Sequence, residues 1–71
     1  MPDNFDRASA RRHMEFIISE FGYAVGPYGE INATQLAEAT ADEMNHPEWL
    51  DDDQHEIWDV AVECAESMEK R

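Results

Sequence analysis

The chain is short of cysteines, of basic residues and of long hydrophobic runs, and each shortage excludes a class of protein. Cys64 is the only cysteine, so no disulfide can form within the chain, and a lone thiol is typical of a reducing compartment. The longest run of large apolar residues, at positions 16–18, is far too short for a signal peptide or a membrane span. We therefore expect a soluble, cytoplasmic protein.

Basic residues are confined to the two ends of the chain. From His13 to Glu69 there is no lysine or arginine, whereas every one of the 17 acidic residues except Asp3 and Asp6 lies in that span, and the formal net charge is -12. Most carboxylates therefore have no intramolecular partner and repel one another. This charge argues against direct binding to nucleic acid or to an anionic membrane. Two interpretations stay open: a merely solvated surface, or a surface that binds a basic partner.

The chain also lacks the motifs of catalysis and cofactor binding. Residues 26–29 contain two glycines in a turn pattern, not a phosphate-binding loop. Asp51, His55 and Asp59 are spaced by four residues, which on one helix offers a metal ion only a partial, open shell. Cys64 has no histidine at helical spacing that could activate it as a nucleophile. We expect no enzyme, no catalytic residue, no metal and no cofactor.

Residues 1–71 are expected to form a single small, acidic, mainly α-helical domain. A chain of this size buries only about 60% of its unfolded surface, but its aromatic residues and regular apolar spacing argue against disorder. We predict three helices at roughly 4–21, 33–45 and 51–69, with a β-turn or very short hairpin at 23–32. The predicted core consists of Met14, Ile17, Ile18, Phe21, Leu36, Met44, Trp49, Ile57, Trp58, Ala61, Val62, Ala65 and Met68.

Short-range signals set the expected helix ends. Asp3 or Asn4 can cap the first helix, and Gly22 can end it in a left-handed conformation. Asn32, with Gln35 three residues later, is a capping signal for the second helix. The Pro-Tyr-Gly turn at 27–29 is compatible with two structures, a small hairpin or an ordered loop with its tyrosines packed inward.

The last third of the chain has the clearest pattern. On a helix, its apolar residues share one face: Ile57, Trp58, Ala61, Val62, Cys64, Ala65 and Met68. Its acidic residues recur every three or four positions on the other face: Asp52, Glu56, Asp59, Glu63 and Glu66. The triple aspartate at 51–53 is placed to begin this helix, where the macrodipole favours negative charge. We predict a helix with one buried side and one anionic side.

The first functional hypothesis is that this acidic face is the working surface, extended by Glu38, Asp42 and Glu48. Its carboxylates advance by about 4.5–6 Å per step, compared with one charge about every 3.4 Å along each strand of duplex DNA. The two spacings are comparable without matching. The face would occupy the basic groove of a nucleic-acid-binding protein as a DNA mimic, with fast and salt-sensitive association. The alternative is an adaptor or homo-oligomerising module with an apolar patch around Phe5, Phe16 and Tyr28. In the homo-oligomerising case the protein could form a homodimer through this patch.

Residues 46–59, with the sequence HPEWLDDDQHEIWD, resemble a stretch seen in small acidic orphan proteins of bacteriophages. The resemblance covers the lead-in and start of the third predicted helix and contains no catalytic motif. It implies a host-takeover or anti-defence context in the cytoplasm of the host cell. Small acidic proteins in that context block nucleic-acid-binding machinery, including CRISPR effectors. The resemblance transfers no functional residue to this chain.

Overall fold

The computed structural model describes residues 5–69, which fold into three α-helices, as predicted. Helix α1 is Arg7–Phe21, α2 is Ala33–Glu43 and α3 is Glu56–Glu69. A 3-10 helix, Pro47–Asp51, connects α2 to α3. Helix α3 contacts both other helices extensively, whereas α1 and α2 contact each other less. The core therefore lies along α3.

Helix α1 begins later than predicted and ends where predicted. Asp6 is its N-cap: its carboxylate accepts hydrogen bonds from the Ala8 N–H at 3.3 Å and the Ser9 hydroxyl at 2.7 Å. These bonds lower the pKa of Asp6, with the Ser9 bond contributing most. The proposed caps Asp3 and Asn4 lie outside the described residues. Gly22, at a φ of 62°, ends the helix in the predicted left-handed conformation.

The segment between α1 and α2 forms a single antiparallel bridge between Val25 and Ile31, and no strand is present among residues 5–69. The Gly26 N–H donates to the Glu30 carbonyl at 2.7 Å, and the Asn32 N–H donates to the Ala24 carbonyl at 2.8 Å. The inward-packed tyrosine loop is wrong, since Tyr28 is 93% exposed and Tyr23 is 45% exposed. The predicted hairpin is reduced to this one bridge.

Helix α2 begins as predicted, because the Asn32 Oδ1 accepts a hydrogen bond from the Gln35 N–H at 3.0 Å. It ends two residues earlier than predicted, at Glu43. Asn45 adopts a left-handed φ of 63°, and the His46 N–H donates back to the Ala41 carbonyl at 2.8 Å. That turn satisfies a carbonyl at the helix end and directs the chain into the proline-initiated connector.

Helix α3 begins at Glu56, five residues after the predicted start. Asp52 makes a turn of its own: its Oδ1 accepts from the Gln54 N–H at 2.9 Å, and its carbonyl accepts from the His55 N–H and the Trp58 Nε1–H. The His55 Nδ1 then accepts from the Ile57 N–H at 3.0 Å and serves as the cap of the helix. The triple aspartate therefore precedes α3. Short side chains such as aspartate compete for local backbone N–H groups and favour turns.

The core differs from the predicted one at three residues, since Phe21 and Val62 are exposed and Val60 is buried. Phe21 is 73% exposed, although it is in phase with the buried residues of α1, because its last turn faces the open side between α1 and α2. Val62 is 46% exposed because it lies about 140° around α3 from Ile57, outside the buried side. Val60, which was not predicted, is buried. The buried residues of α3 are Ile57, Val60, Ala61, Cys64 and Ala65.

The remaining core residues follow the prediction. Met14, Ile17, Leu36 and Trp49 are buried, and Ala10, Ala37 and Ala41 join them at the helix contacts. Ile18, Met44, Trp58 and Met68 are partly buried against this core. Thr40 is fully buried, and its hydroxyl donates to the Leu36 carbonyl at 2.7 Å, so its polar group is satisfied.

Candidate functional site: an acidic helix face

The carboxylates that the sequence singled out are all exposed, but they do not form one surface. On α3 they are Glu56, Asp59, Glu63 and Glu66; elsewhere they are Asp52, Glu38, Asp42 and Glu48. Asp52 precedes α3 and is engaged in its own turn. We call the four carboxylates on α3 the acidic face.

The acidic face consists of two rows with different electrostatic character. Residues seven positions apart lie almost directly above one another on a helix, so Glu56 and Glu63 form one row and Asp59 and Glu66 form the other. The first row is turned toward α1. There, Arg7 donates to the Glu56 Oε1 at 3.1 Å and to the Glu63 Oε2 at 2.5 Å.

Arg7 therefore neutralises part of the charge that the sequence assigned to the acidic face. The hydrogen bond that Arg7 donates to Glu56 is the main cause that raises the pKa of Arg7, with Coulombic contributions from Glu63, Glu56 and Asp59. The guanidinium stays charged at all relevant pH values. Because all three side chains are partly solvent-exposed, the two ion pairs are screened by water and salt.

The row of Asp59 and Glu66 has no such partner. Within residues 5–69, no hydrogen bond or ion pair engages either carboxylate, and the remaining arginines, Arg11 and Arg12, lie on α1. The exposed Val62 stands between them in sequence and lies about 40° from Glu66 around the helix. Arg7 interacts with Asp59 only at longer range, so this part of α3 presents two carboxylates without an ion-pair partner among these residues, beside a single apolar side chain.

The predicted extensions of the acidic face lie elsewhere. Glu38 and Asp42 are one turn apart on the exposed side of α2. Asp42 borders a groove formed by α1 and α2, to which α3 contributes no lining residue. Glu48 lies in the connector, and its carboxylate contacts the His46 Nδ1 at 2.7 Å. These residues contribute to the overall negative field but do not continue the rows of α3.

The alternative apolar patch is also divided. Phe5 packs edge-on against Trp49, at a centroid distance of 5.0 Å, and against His55, at 4.9 Å. It is therefore part of the core margin and not an exposed contact. Phe16 is 52% exposed and contacts Phe21 instead, at 5.7 Å between ring centroids. The sequence missed this second pairing because Phe21 was assigned to the core.

Two further residues have roles that sequence reasoning did not assign. Trp49 is stacked between His46, at 4.4 Å, and His55, at 5.6 Å, so these histidines pack against the core. Arg7 was assigned only to the basic end of the chain. The spacing of Glu56 and Glu63 by seven residues could have indicated a shared cation, but not which arginine supplies it.

The described residues contain no arrangement suited to catalysis by a metal or a thiolate. Within residues 5–69, no three His, Cys, Asp or Glu side chains are grouped so that they could hold a metal ion. Burial raises the pKa of the Cys64 thiol, so the nucleophilic thiolate is disfavoured. No helix in this part of the chain is both long enough and apolar enough to cross a bilayer. The exposed feature of α3 is its charged surface.

Comparison of the chain with protein-family models, with characterised proteins and with solved structures finds no match. The resemblance of residues 46–59 to bacteriophage proteins therefore stays a prediction.

Proposed function

We propose that this protein is a non-enzymatic interaction module whose acidic face on α3 binds a basic surface of a nucleic-acid-binding protein. The observation that carries the proposal is the row of Asp59 and Glu66, which are exposed and form no ion pair or hydrogen bond with a cationic side chain within residues 5–69. Unneutralised carboxylates on a rigid helix give a fixed negative potential that attracts a complementary cationic patch.

The geometry of this row suits contact with a cationic groove. Asp59 and Glu66 are separated by about 10.5 Å along the helix axis, so both carboxylates can face the same groove of a nucleic-acid-binding protein. The exposed Val62 adds apolar area beside the charges, and removal of that area from water on binding is favourable. In a bacteriophage context, the partner would be a host defence protein such as a CRISPR effector.

The primary test is capture of partners from a nuclease-treated extract of the natural host at low and at high salt. We expect a nucleic-acid-binding protein that is retained at low salt, released at high salt, and displaced by duplex DNA. The variant Asp59→Lys/Glu66→Lys should abolish its capture. The control Asp51→Lys/Asp53→Lys changes the net charge by the same amount at two exposed positions outside α3 and should retain most of it.

Two results would contradict the proposal. The first is a complex that is equally tight at both salt concentrations, because an interface dominated by charge weakens with ionic strength. The second is an equal loss of capture in the two double variants, because that result would assign binding to net charge alone and not to α3.

Arg7 provides a test in the opposite direction. Replacing Arg7 by alanine removes a cation and releases the carboxylates of Glu56 and Glu63, so the acidic face gains negative potential. We expect Arg7→Ala to bind the captured partner severalfold more tightly at low salt, mainly through faster association. Surface plasmon resonance would measure both rate constants. Weaker binding by a folded Arg7→Ala protein would mean that Arg7 orders the acidic face for its partner and does not mask it.

A further inference from the structure

The side of the molecule between α1 and α2 is open. Helix α3 packs against both helices, but those two helices contact each other less, and a groove of about 430 Å³ lies between them. Its volume falls within the range of about 300–1,000 Å³ that is usual for ligand sites. The groove is lined by Ile17, Phe21, Tyr23, Ala39, Asp42 and Glu43.

The groove has an apolar floor beside exposed aromatic residues. Phe21 is 73% exposed, and Phe16 packs against it as a second exposed ring. Phe21 lies on the same side of α1 as the buried residues of that helix. A partner that covered Phe21 would therefore extend the core along α1 by one more helical turn. Large exposed aromatic residues next to a concave apolar surface are typical of interaction sites.

The groove is bordered by negative charge alone. Asp42 and Glu43 line it, and no hydrogen bond or ion pair engages either carboxylate within the described part of the chain. The arginines of that part lie in the first half of α1, and two of them, Arg7 and Arg11, are occupied by ion pairs. A ligand in this groove would meet apolar side chains at its centre and unpaired carboxylates at its edge.

We infer that this groove binds a basic amphipathic helix of a partner protein. Its apolar stripe would pack against Ile17, Phe21 and Tyr23, and its flanking lysine or arginine side chains would reach Asp42 and Glu43. An amphipathic helix laid between two helices buries residues at i, i+3, i+4 and i+7 in the same way as the fourth member of a helix bundle. This surface is separate from the acidic face, and the inference does not depend on the proposed function.

Charge complementarity selects this occupant over a second copy of the chain. A symmetric dimer through the groove would bring Asp42 and Glu43 of both copies into one interface, and the residues that line the groove include no cation to pair them. Four like charges would then be brought together at a desolvated edge, which opposes association. A cationic helix instead pairs each of these carboxylates.

The test uses a fluorescently labelled synthetic 18-residue helix with leucine at i, i+3, i+4 and i+7 and lysine at the flanking positions. Fluorescence anisotropy would give its dissociation constant. A peptide of the same composition with the leucines scrambled off one face controls for charge alone. We expect the amphipathic peptide to bind at least about tenfold more tightly, since one buried anchor contributes this much.

Protein variants locate the site. Phe21→Ala and Asp42→Asn/Glu43→Gln should each weaken peptide binding by about tenfold. The charge-matched control Asp51→Asn/Asp53→Asn alters residues outside the groove and should leave the affinity within about twofold, because distant exposed charges are screened. Circular dichroism would confirm that every variant is folded. NMR chemical shifts of the peptide-bound protein should change mainly at the ends of α1 and α2.

Three results would overturn the inference: equal binding of the amphipathic and scrambled peptides, equal weakening by the two charge-removing double variants, or shift changes that map to α3. Dimerisation of the free protein that Phe21→Ala abolishes would also overturn it, because it would show that a second copy covers the groove. Sedimentation velocity on the wild-type protein and on Phe21→Ala would detect this outcome. Loss of the acidic face through Asp59→Lys/Glu66→Lys tests only the proposed function, so failure of one proposal is distinguishable from failure of the other.

Discussion

The two ends of α1 carry similar aromatic residues in opposite environments. Two residues before its start, Phe5 packs edge-on against Trp49, which is itself stacked between two histidines. At its end, Phe16 and Phe21 pack on each other and remain exposed. The difference lies in what covers each end: the connector and the start of α3 close the first, whereas nothing among the described residues closes the second. An aromatic residue in phase with a core is thus buried only where a neighbouring element reaches it.

Substitution at the two ends should have very different effects on stability. Trp49→Ala should lower the free energy of unfolding by about 3–5 kcal/mol, which approaches the whole stability of a small domain. Phe21→Ala should change it by about 0.5 kcal/mol or less, as at most exposed sites. Urea denaturation followed by circular dichroism measures both. A loss of several kcal/mol in Phe21→Ala would mean that the open end is in fact packed in solution.

Thiol reactivity gives a second measure of the difference between the buried core and the open end of α1. Cys64 is fully buried in the core, and its thiol must become exposed before it can react. With a stability of about 5 kcal/mol, native Cys64 should react with a disulfide reagent at least on the order of a thousandfold more slowly than the denatured protein. The variant Phe21→Cys/Cys64→Ala, which places the only thiol at the open end, should react without this protection. Similar rates for the two proteins would contradict the assigned burial.

Cys64 also predicts a pH dependence of stability. Because burial raises its pKa in the folded protein above the ordinary value of 9.0, the folded state retains this proton more strongly than the unfolded state. The stabilisation that the protonated Cys64 thiol gives to the folded protein is therefore present below pH 9.0 and is lost as the pH rises above that value. Cys64→Ala should lose this part of the alkaline decline, which urea denaturation between pH 8 and pH 10.5 would detect.

At the closed end, His55 combines stacking on Trp49 with the cap of α3. His55→Ala should lower the free energy of unfolding by about 1–2 kcal/mol, because it removes both the Nδ1 acceptor of the Ile57 N–H and the ring contact. His55→Asn retains a cap acceptor and should recover part of the loss. Equal losses in the two variants, measured by thermal denaturation, would show that stacking alone accounts for the effect.

The smallest expected effect lies in the turn that follows the open end. Ala24 has a φ of 67°, a left-handed conformation that disfavours residues with a Cβ by about 1–2 kcal/mol. Ala24→Gly removes that strain but also gains freedom in the unfolded state and loses a contact with the core. We expect a net stabilisation of up to about 1 kcal/mol, measurable by thermal denaturation. A lower melting temperature would show that the methyl group contributes more than the strain.

Features that depend on interactions between neighbouring residues could be predicted from the sequence, whereas features that depend on contacts between distant residues could not. The Gly22 stop and the Asn32 cap depend on residues within one turn, and both are as predicted. The predicted start of α3 was wrong because Asp52 and His55 both offer cap acceptors. Which of them caps the helix is coupled to the packing of His55 on Trp49. The residues around the helix start do not reveal that contact.

The same limit applies to the candidate site. The exposure of the four α3 carboxylates followed from periodicity, but the pairing of Arg7 with Glu56 and Glu63 joins residues at least 49 positions apart. The groove was missed for a related reason. Phase on α1 correctly identified the direction in which Phe21 points, but not that α1 and α2 leave that side uncovered.

The central position of α3 has a consequence for biosynthesis. Helices α1 and α2 leave the ribosome first, yet both pack extensively against α3, which is made afterwards. Until residues 56–69 have emerged, the nascent chain exposes Met14 and Leu36, and such surfaces recruit chaperones or associate with one another. Stable folding of this unit is therefore expected only after α3 has cleared the exit tunnel.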